Sequence, residues 1–222
     1  ERYKYEINLI KECRAAASRN SDSISFYKLM KTEYSDSKYL KYWDLTEGYS
    51  NISTGNYSES ITLFNQVISS NANDSEEESW IKAAHLYLGL AYFLSGNYSD
   101  AITSLNNAIA LPENIHIDIV SYYMQGKIYE KQGLNKEAFD KYYFIMNKYA
   151  SQTDPDVKQI VDISKAKVES MLNFEIINIK DGKPAKGVIG IGQILNYTVK
   201  RDFQLLGRYV WHILTNRIYL ET

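Results

Sequence analysis

The side chains that could perform catalysis or bind a metal are few in this sequence, and they do not cluster. The chain contains three histidines, His85, His116 and His212, and a single cysteine, Cys13. No carboxylate is spaced with the histidines as zinc-binding motifs require, and one cysteine cannot form an internal disulfide. We therefore expect no metal site, no cofactor and no enzymatic activity.

Two other groupings of residues have simpler explanations than ligand binding. The acidic run that begins at Asp74 lacks the alternating ligand spacing of a calcium-binding loop. Ser75 followed by Glu78 instead predicts a helix start, with Ser75 as the N-cap. Gly187 and Gly190 lie in a predicted strand that no helix N-terminus follows, which argues against a phosphate-binding loop.

Length and composition restrict the class of protein. A chain of 222 residues that is 45% hydrophobic can bury a core. Its 25 Lys and Arg against 27 Asp and Glu leave no basic excess for nucleic acid. No apolar stretch approaches the roughly 20 residues of a transmembrane helix. The first residue is Glu1, which leaves open a lipid anchor upstream of residue 1. The unusual count is 20 Tyr beside only 3 Pro.

An internal repeat organises most of the chain. Residues 44–71 align with residues 85–112 at ten identical positions, and a third copy keeps the seven-residue spacing of two glycines at Gly126 and Gly133. Each copy holds two apolar patterns of helical period separated by a glycine turn, which predicts a helical hairpin.

Specific residue types within the repeat indicate how each hairpin is built. The first glycine of each copy replaces the Ala that a helix interior prefers, which predicts close approach of a neighbouring helix. The second glycine ends the first helix in a left-handed conformation. Asn56 and Asn97 are the predicted N-caps of the second helices. These glycines are Gly48, Gly89 and Gly126, then Gly55, Gly96 and Gly133.

The second copy resembles the tetratricopeptide repeat family. The small and aromatic residues that carry the resemblance are Gly89, Tyr92, Gly96, Tyr98, Ala101, Leu105, Ala108 and Pro112. The resemblance implies a mostly α-helical fold, a right-handed superhelix of hairpins, at about residues 3–34, 40–71, 76–112 and 118–150. Asp154 and Pro155 predict a capping helix over 155–172, so that residues 1–172 form one helical array.

Two further segments suggest a cellular setting and a second region. Residues 34–39 resemble the exit of repeats in bacterial envelope lipoproteins of the outer-membrane assembly type, which implies a periplasmic or outer-membrane location. Residues 173–222 are rich in β-branched and aromatic residues around a turn at Asp181 and Gly182, which predicts a small strand-rich appendage.

The resemblance also implies where a ligand would bind, because the first helix of each hairpin lines the inside of such a superhelix. The positions that project inward are mostly apolar and lack the Asn, Lys and Arg set with which some family members clamp a carboxylate. We therefore expect a groove for a helical or extended apolar segment of a partner protein. The predicted groove residues are Tyr42, Leu45, Tyr49, Ile52, Leu86, Leu90, Phe93, Leu94, Tyr123, Lys127 and Glu130.

Two alternatives remain at this point. The chain's own N-terminal helix or C-terminal segment could cover the apolar stripe. A different function is peptidoglycan or glycan binding through residues 173–222, where Tyr197 to Lys200 followed by Asp202 resembles the opening of a LysM module.

Overall fold

A computed structural model describes residues 21–37 and 39–172 of the chain. The chain divides into two units, residues 1–172 and 173–222, and the described residues belong to the first. The helix predicted to open the hairpin at 3–34 and the strand-rich appendage predicted at 173–222 lie outside the described residues.

Residues 21–37 and 39–172 form helices and contain no strand. The mostly helical repeat predicted from the sequence is therefore confirmed for this part of the chain. Two successive helices form each hairpin, α2 with α3, α4 with α5 and α6 with α7. The helices are α1 (Ser21–Glu33), α2 (Leu40–Ser53), α3 (Tyr57–Ser69), α4 (Ser75–Leu94), α5 (Tyr98–Ala110), α6 (Ile115–Lys131), α7 (Asn135–Lys148) and α8 (Pro155–Leu172).

Each hairpin stacks on the next first helix through both of its own helices. Each second helix contacts the first helix of the next hairpin, and in addition α2 contacts α4 and α4 contacts α6. The last helix, α8, contacts both α6 and α7, as a further first helix would. The helices α2, α4, α6 and α8 consequently form one continuous layer.

Within each hairpin a large side chain lies directly over the helical glycine. A Cβ atom added to Gly48 would lie 2.6 Å from Cε1 of Phe64, and one added to Gly126 would lie 2.6 Å from Cε1 of Tyr142. The same contact at Gly89 involves Leu105, at 2.8 Å. The predicted close approach is therefore confirmed in all three hairpins, always with the residue sixteen positions later.

The helix ends match the sequence only in part. Gly96 has a φ of +84°, the left-handed conformation predicted for it, and Gly55 and Gly133 behave alike. Asn97 caps α5 by accepting a hydrogen bond from the N–H of Asp100, whereas the Asn56 side chain makes no such bond.

The predicted N-cap of α4 is wrong by one residue. Asp74, not Ser75, is the cap, and its Oδ1 accepts from the Glu77 N–H at 2.9 Å. The reason is that, in this register, the Glu77 carboxylate accepts a hydrogen bond from the N–H of Asn73, also at 2.9 Å. The backbone N–H groups of Asn73 and Glu77 are then both paired. The predicted cap of α8 is correct, since Asp154 Oδ1 accepts from the N–H of Val157.

Two lysines join consecutive hairpins, and we call these arrangements the lysine latches. Lys82 Nζ lies 2.7 Å from Asp118 Oδ1 and donates to the carbonyls of Leu111 and Pro112 at 3.1 and 2.8 Å. Both charged side chains are buried, 3% and 6% exposed. The lysine thus ties the end of α5 to the first turn of α6, and it satisfies carbonyls that the helix end leaves unpaired.

The latch between the first two hairpins has the same design. Lys41 Nζ lies 2.6 Å from Glu77 Oε2 and donates to the Asn71 carbonyl. Lys41 and Lys82 are 41 residues apart, as are Glu77 and Asp118. The junction with α8 differs, because Ile119, Tyr149 and Val157 form an apolar cluster there.

We expect Gly48→Ala to destabilise the protein even though Ala is the better helix former. The new methyl group would overlap the Phe64 ring, and such overpacking typically costs about 1–3 kcal/mol. Urea unfolding measures the loss, with the exposed helical substitution Ser99→Ala as control. Phe64→Leu combined with Gly48→Ala should recover part of it. A fully additive double variant would contradict the proposed overlap.

Lys82→Met should cost roughly 3–5 kcal/mol of unfolding free energy, because it leaves the Asp118 carboxylate buried without its partner. Equilibrium denaturation checks this, and Lys165→Met on the exposed side of α8 serves as the matched control with a change near zero. The double variant Lys82→Met, Asp118→Leu should be more stable than Lys82→Met alone. The opposite order would show that the buried charge is not the cause.

The Lys41 latch should give stability a defined pH dependence. The Glu77 carboxylate accepts hydrogen bonds from Lys41 and from the N–H of Asn73, and these bonds lower the pKa of Glu77 below the ordinary 4.5. The stabilisation is therefore complete above pH 4.5 and is lost as the pH falls through the folded-state pKa. We expect the difference in unfolding free energy between wild type and Glu77→Gln to be constant from pH 7 to 5 and to shrink below pH 4.5. If this free-energy difference did not change with pH, the ionised Glu77 of the latch would not be the cause of the stabilisation.

Candidate functional site

The predicted groove residues lie on the three first helices α2, α4 and α6, which the structure places side by side. Their exposure varies widely. Tyr49 and Leu94 are the most accessible, at 49% and 44%. The half-buried members are Tyr42, Leu90, Phe93, Tyr123, Lys127 and Glu130.

Three of the predicted groove residues are core residues instead. Leu45 is only 5% exposed, and Ile52 and Leu86 are each 8% exposed. Leu45 and Ile52 pack in a cluster with Ala91 of α4, and Leu86 packs in a cluster with Ile128 of α6. The physical reason is that the next first helix in the layer covers these positions. Their side chains therefore stabilise the stack rather than line an open groove.

Glu130 at the end of α6 is engaged by two neighbouring helices. Its carboxylate receives hydrogen bonds from Lys167 Nζ of α8 at 2.9 Å and from the Tyr142 hydroxyl of α7 at 3.1 Å. Burial, together with this carboxylate, raises the pKa of Tyr142. The Tyr123 ring also contacts the Tyr142 ring, with centroids 5.6 Å apart. Glu130 thus connects the third hairpin to α8, whereas Tyr123 packs within the third hairpin.

Among the predicted groove residues, the two most accessible apolar side chains lie on α2 and α4. The Tyr49 ring contacts the Tyr87 ring at 5.0 Å, which joins the two helices at the surface. Leu90 packs against the core cluster of α2 and α4, and Phe93 contacts Tyr98 at 5.9 Å. We call Tyr49, Leu90, Phe93 and Leu94 the apolar face.

A cavity of about 420 Å³ opens beside this face, between α1, α2 and α4, and we call it the tyrosine pocket. Of the lining side chains that belong to the described residues, four are tyrosines and none is charged. Sequence reasoning identified three of its members, Tyr42, Leu45 and Tyr49, but missed those contributed by other turns and helices. The lining residues are Tyr27, Tyr42, Leu45, Thr46, Tyr49, Ser50 and Tyr87.

A signal for part of the missed lining was present in the sequence. Thr46 and Ser50 follow Tyr42 at steps of four residues, which places all three on one face of α2. Tyr27 and Tyr87 carry no comparable signal, since they reach the pocket only through the packing of α1 and α4 against α2.

No three His, Cys, Asp or Glu side chains within residues 21–37 and 39–172 are grouped so that they could hold a metal ion. Burial lowers the pKa of His85, which favours its neutral ring. In the same part of the chain, no helix has the length and apolar character needed to cross a membrane.

Comparison with known proteins gives one family match. The family model of the tetratricopeptide repeat matches residues 83–113, which cover most of α4 and all of α5. No curated protein and no solved structure matches the chain. The match and the helical architecture of the described residues support the tetratricopeptide repeat family.

The match also supports a protein-binding role at a coarse level. Tetratricopeptide repeats generally mediate protein–protein interactions, and modules of this family are typically non-enzymatic. The family thus indicates protein partners for this chain. The closer resemblance of residues 34–39 to envelope lipoproteins stays a prediction.

Proposed function

We propose that this protein is a non-enzymatic scaffold that binds a helical or extended apolar segment of a partner protein across the first helices of its hairpins. The observation that carries the proposal is the exposure of Tyr49 and Leu94 on α2 and α4, two adjacent helices of one layer. Large apolar side chains that cluster on an accessible surface commonly mark a binding site.

The arrangement of the apolar face fits an elongated guest. The half-buried Leu90 and Phe93 are anchored in the cores of two hairpins, so their exposed edges are held at fixed positions. A partner segment that packs on rigid anchors loses little additional freedom on the scaffold side. Aromatic residues such as Tyr49 and Phe93 are the types that most often dominate binding energy.

The proposal includes a location in a bacterial cell envelope, in the periplasm or anchored to the outer membrane by a lipid upstream of residue 1. The support is the resemblance of residues 34–39 to repeat exits in envelope lipoproteins. Fractionation of source cells that express the native protein tests this location, and recovery in the cytosolic fraction would contradict it.

Site-specific photo-crosslinking tests the binding face. A photoreactive phenylalanine analogue at position 94 should capture a protein partner in source cells. The same analogue at position 163 should not, because Ile163 has similar exposure, 40%, but lies on α8.

The captured partner, once purified, allows an affinity measurement. We expect Leu94→Glu to weaken binding at least tenfold, because docking would bury an unpaired carboxylate. The matched control Ile163→Glu should bind as wild type. Equal affinities for the two folded variants would overturn the proposed face.

A further inference from the structure

The tyrosine pocket has a chemistry that selects among guests. The faces of tyrosine rings carry partial negative charge and attract cations. Four tyrosines contribute to the lining, and one of them, Tyr49, is 49% exposed. A cavity of about 420 Å³ accommodates the head and part of the stem of a long side chain.

Two hydroxyl groups in the pocket are available as hydrogen-bond acceptors, because their own protons are already donated to backbone carbonyls. The Thr46 hydroxyl donates to the Tyr42 carbonyl at 2.9 Å and lies 3.0 Å from that of Trp43. The Ser50 hydroxyl donates to the Thr46 carbonyl at 3.0 Å. Because each hydroxyl has only one proton, the oxygens of Thr46 and Ser50 retain lone pairs but no donor. A guest that donates hydrogen bonds satisfies them, whereas an apolar guest would bury them unpaired.

The overall charge of the described part of the chain favours a cation as that donor. Residues 21–172 contain 13 Lys and Arg against 20 Asp and Glu. This negative excess complements a basic group.

We propose that the tyrosine pocket receives a basic side chain, arginine or lysine, of the partner segment that docks on the apolar face. This inference rests on the proposed function, since it places the pocket at one end of the same binding surface. The tyrosine rings hold the cation, and the oxygens of Thr46 and Ser50 accept its N–H groups. The pocket thereby sets the register in which the partner segment binds.

A titration with small probes tests the pocket without the partner. The full chain, labelled with ¹⁵N, is titrated with N-acetyl-L-argininamide and, in parallel, with N-acetyl-L-norleucinamide, which has a similar stem and no charge. We expect saturable shifts of the Thr46 and Ser50 amides with the arginine probe and at least fivefold weaker binding of the norleucine probe.

Two variants locate the interaction. Tyr49→Leu should weaken the arginine probe about fivefold and leave the norleucine probe unchanged, because only a cation gains from the ring face. Thr46→Val keeps the shape but removes an acceptor, and it should act in the same direction. Thermal unfolding of both variants verifies that they fold.

The possible results separate this inference from the proposed function. Equal binding of both probes would show an apolar pocket and overturn the inference. Absence of shifts with either probe would show that the pocket is closed, for instance by residues 1–20, and would overturn it as well. If Leu94→Glu abolishes partner binding while Tyr49→Leu has no effect on either probe, the scaffold function stands and the cation pocket falls.

Discussion

The closeness of the two helices in each hairpin is the constraint on which the structure depends. A large side chain of the second helix occupies the space that a Cβ atom would take in the first, as Phe64 does over Gly48. This contact fixes both the separation and the relative rotation of the helices. Because α2, α4 and α6 are all held in this way, each presents the same face to the inner layer. The accessible positions Tyr49 and Leu94 follow from that common orientation.

Stacking then involves polar contacts in addition to apolar ones. Lys41 lies in the first turn of α2 and Lys82 lies two turns inside α4. Each lysine reaches the end of its own hairpin and the first turn of the next. Buried ion pairs add little net stability when compared with apolar packing of the same volume. Their value here is geometric, since three acceptors around Lys82 define one position for the next hairpin. The apolar face extends across helices because their offset is fixed.

The sequence predicts the hairpins well because their signals are local. The glycines Gly89 and Gly96, with the apolar patterns on either side of Gly96, are sufficient to place two helices and a turn. The groove is predicted less well, because helical projection gives the direction of a side chain but not the distance to the next helix. Ile52 points toward the inner layer as expected, yet α4 lies close enough to bury it.

The latch was invisible for a related reason. A lysine in an amphipathic helix is ordinarily expected at the surface, and the partner of Lys82 lies 36 residues later in another hairpin. The tyrosine pocket likewise needs three helices, since Tyr27 and Tyr87 meet the residues of α2 only after packing. The sequence does contain one signal of the latches. Lys41 and Lys82 occupy equivalent positions of the 41-residue repeat, and so do Glu77 and Asp118.

The spacing of the latches has a consequence for the growth of the array. Residues 77–117 begin with Glu77, which pairs with the lysine of the preceding hairpin. They also contain Lys82, which pairs with the acid of the following hairpin. Such a unit therefore carries an acid for the joint before it and a lysine for the joint after it. A tandem duplication of these 41 residues would therefore restore a latch at every new joint without any compensating change. The junction with α8 has neither the latch lysine nor the latch acid. Inserted units would therefore form latches upstream of the third hairpin but not between the third hairpin and α8.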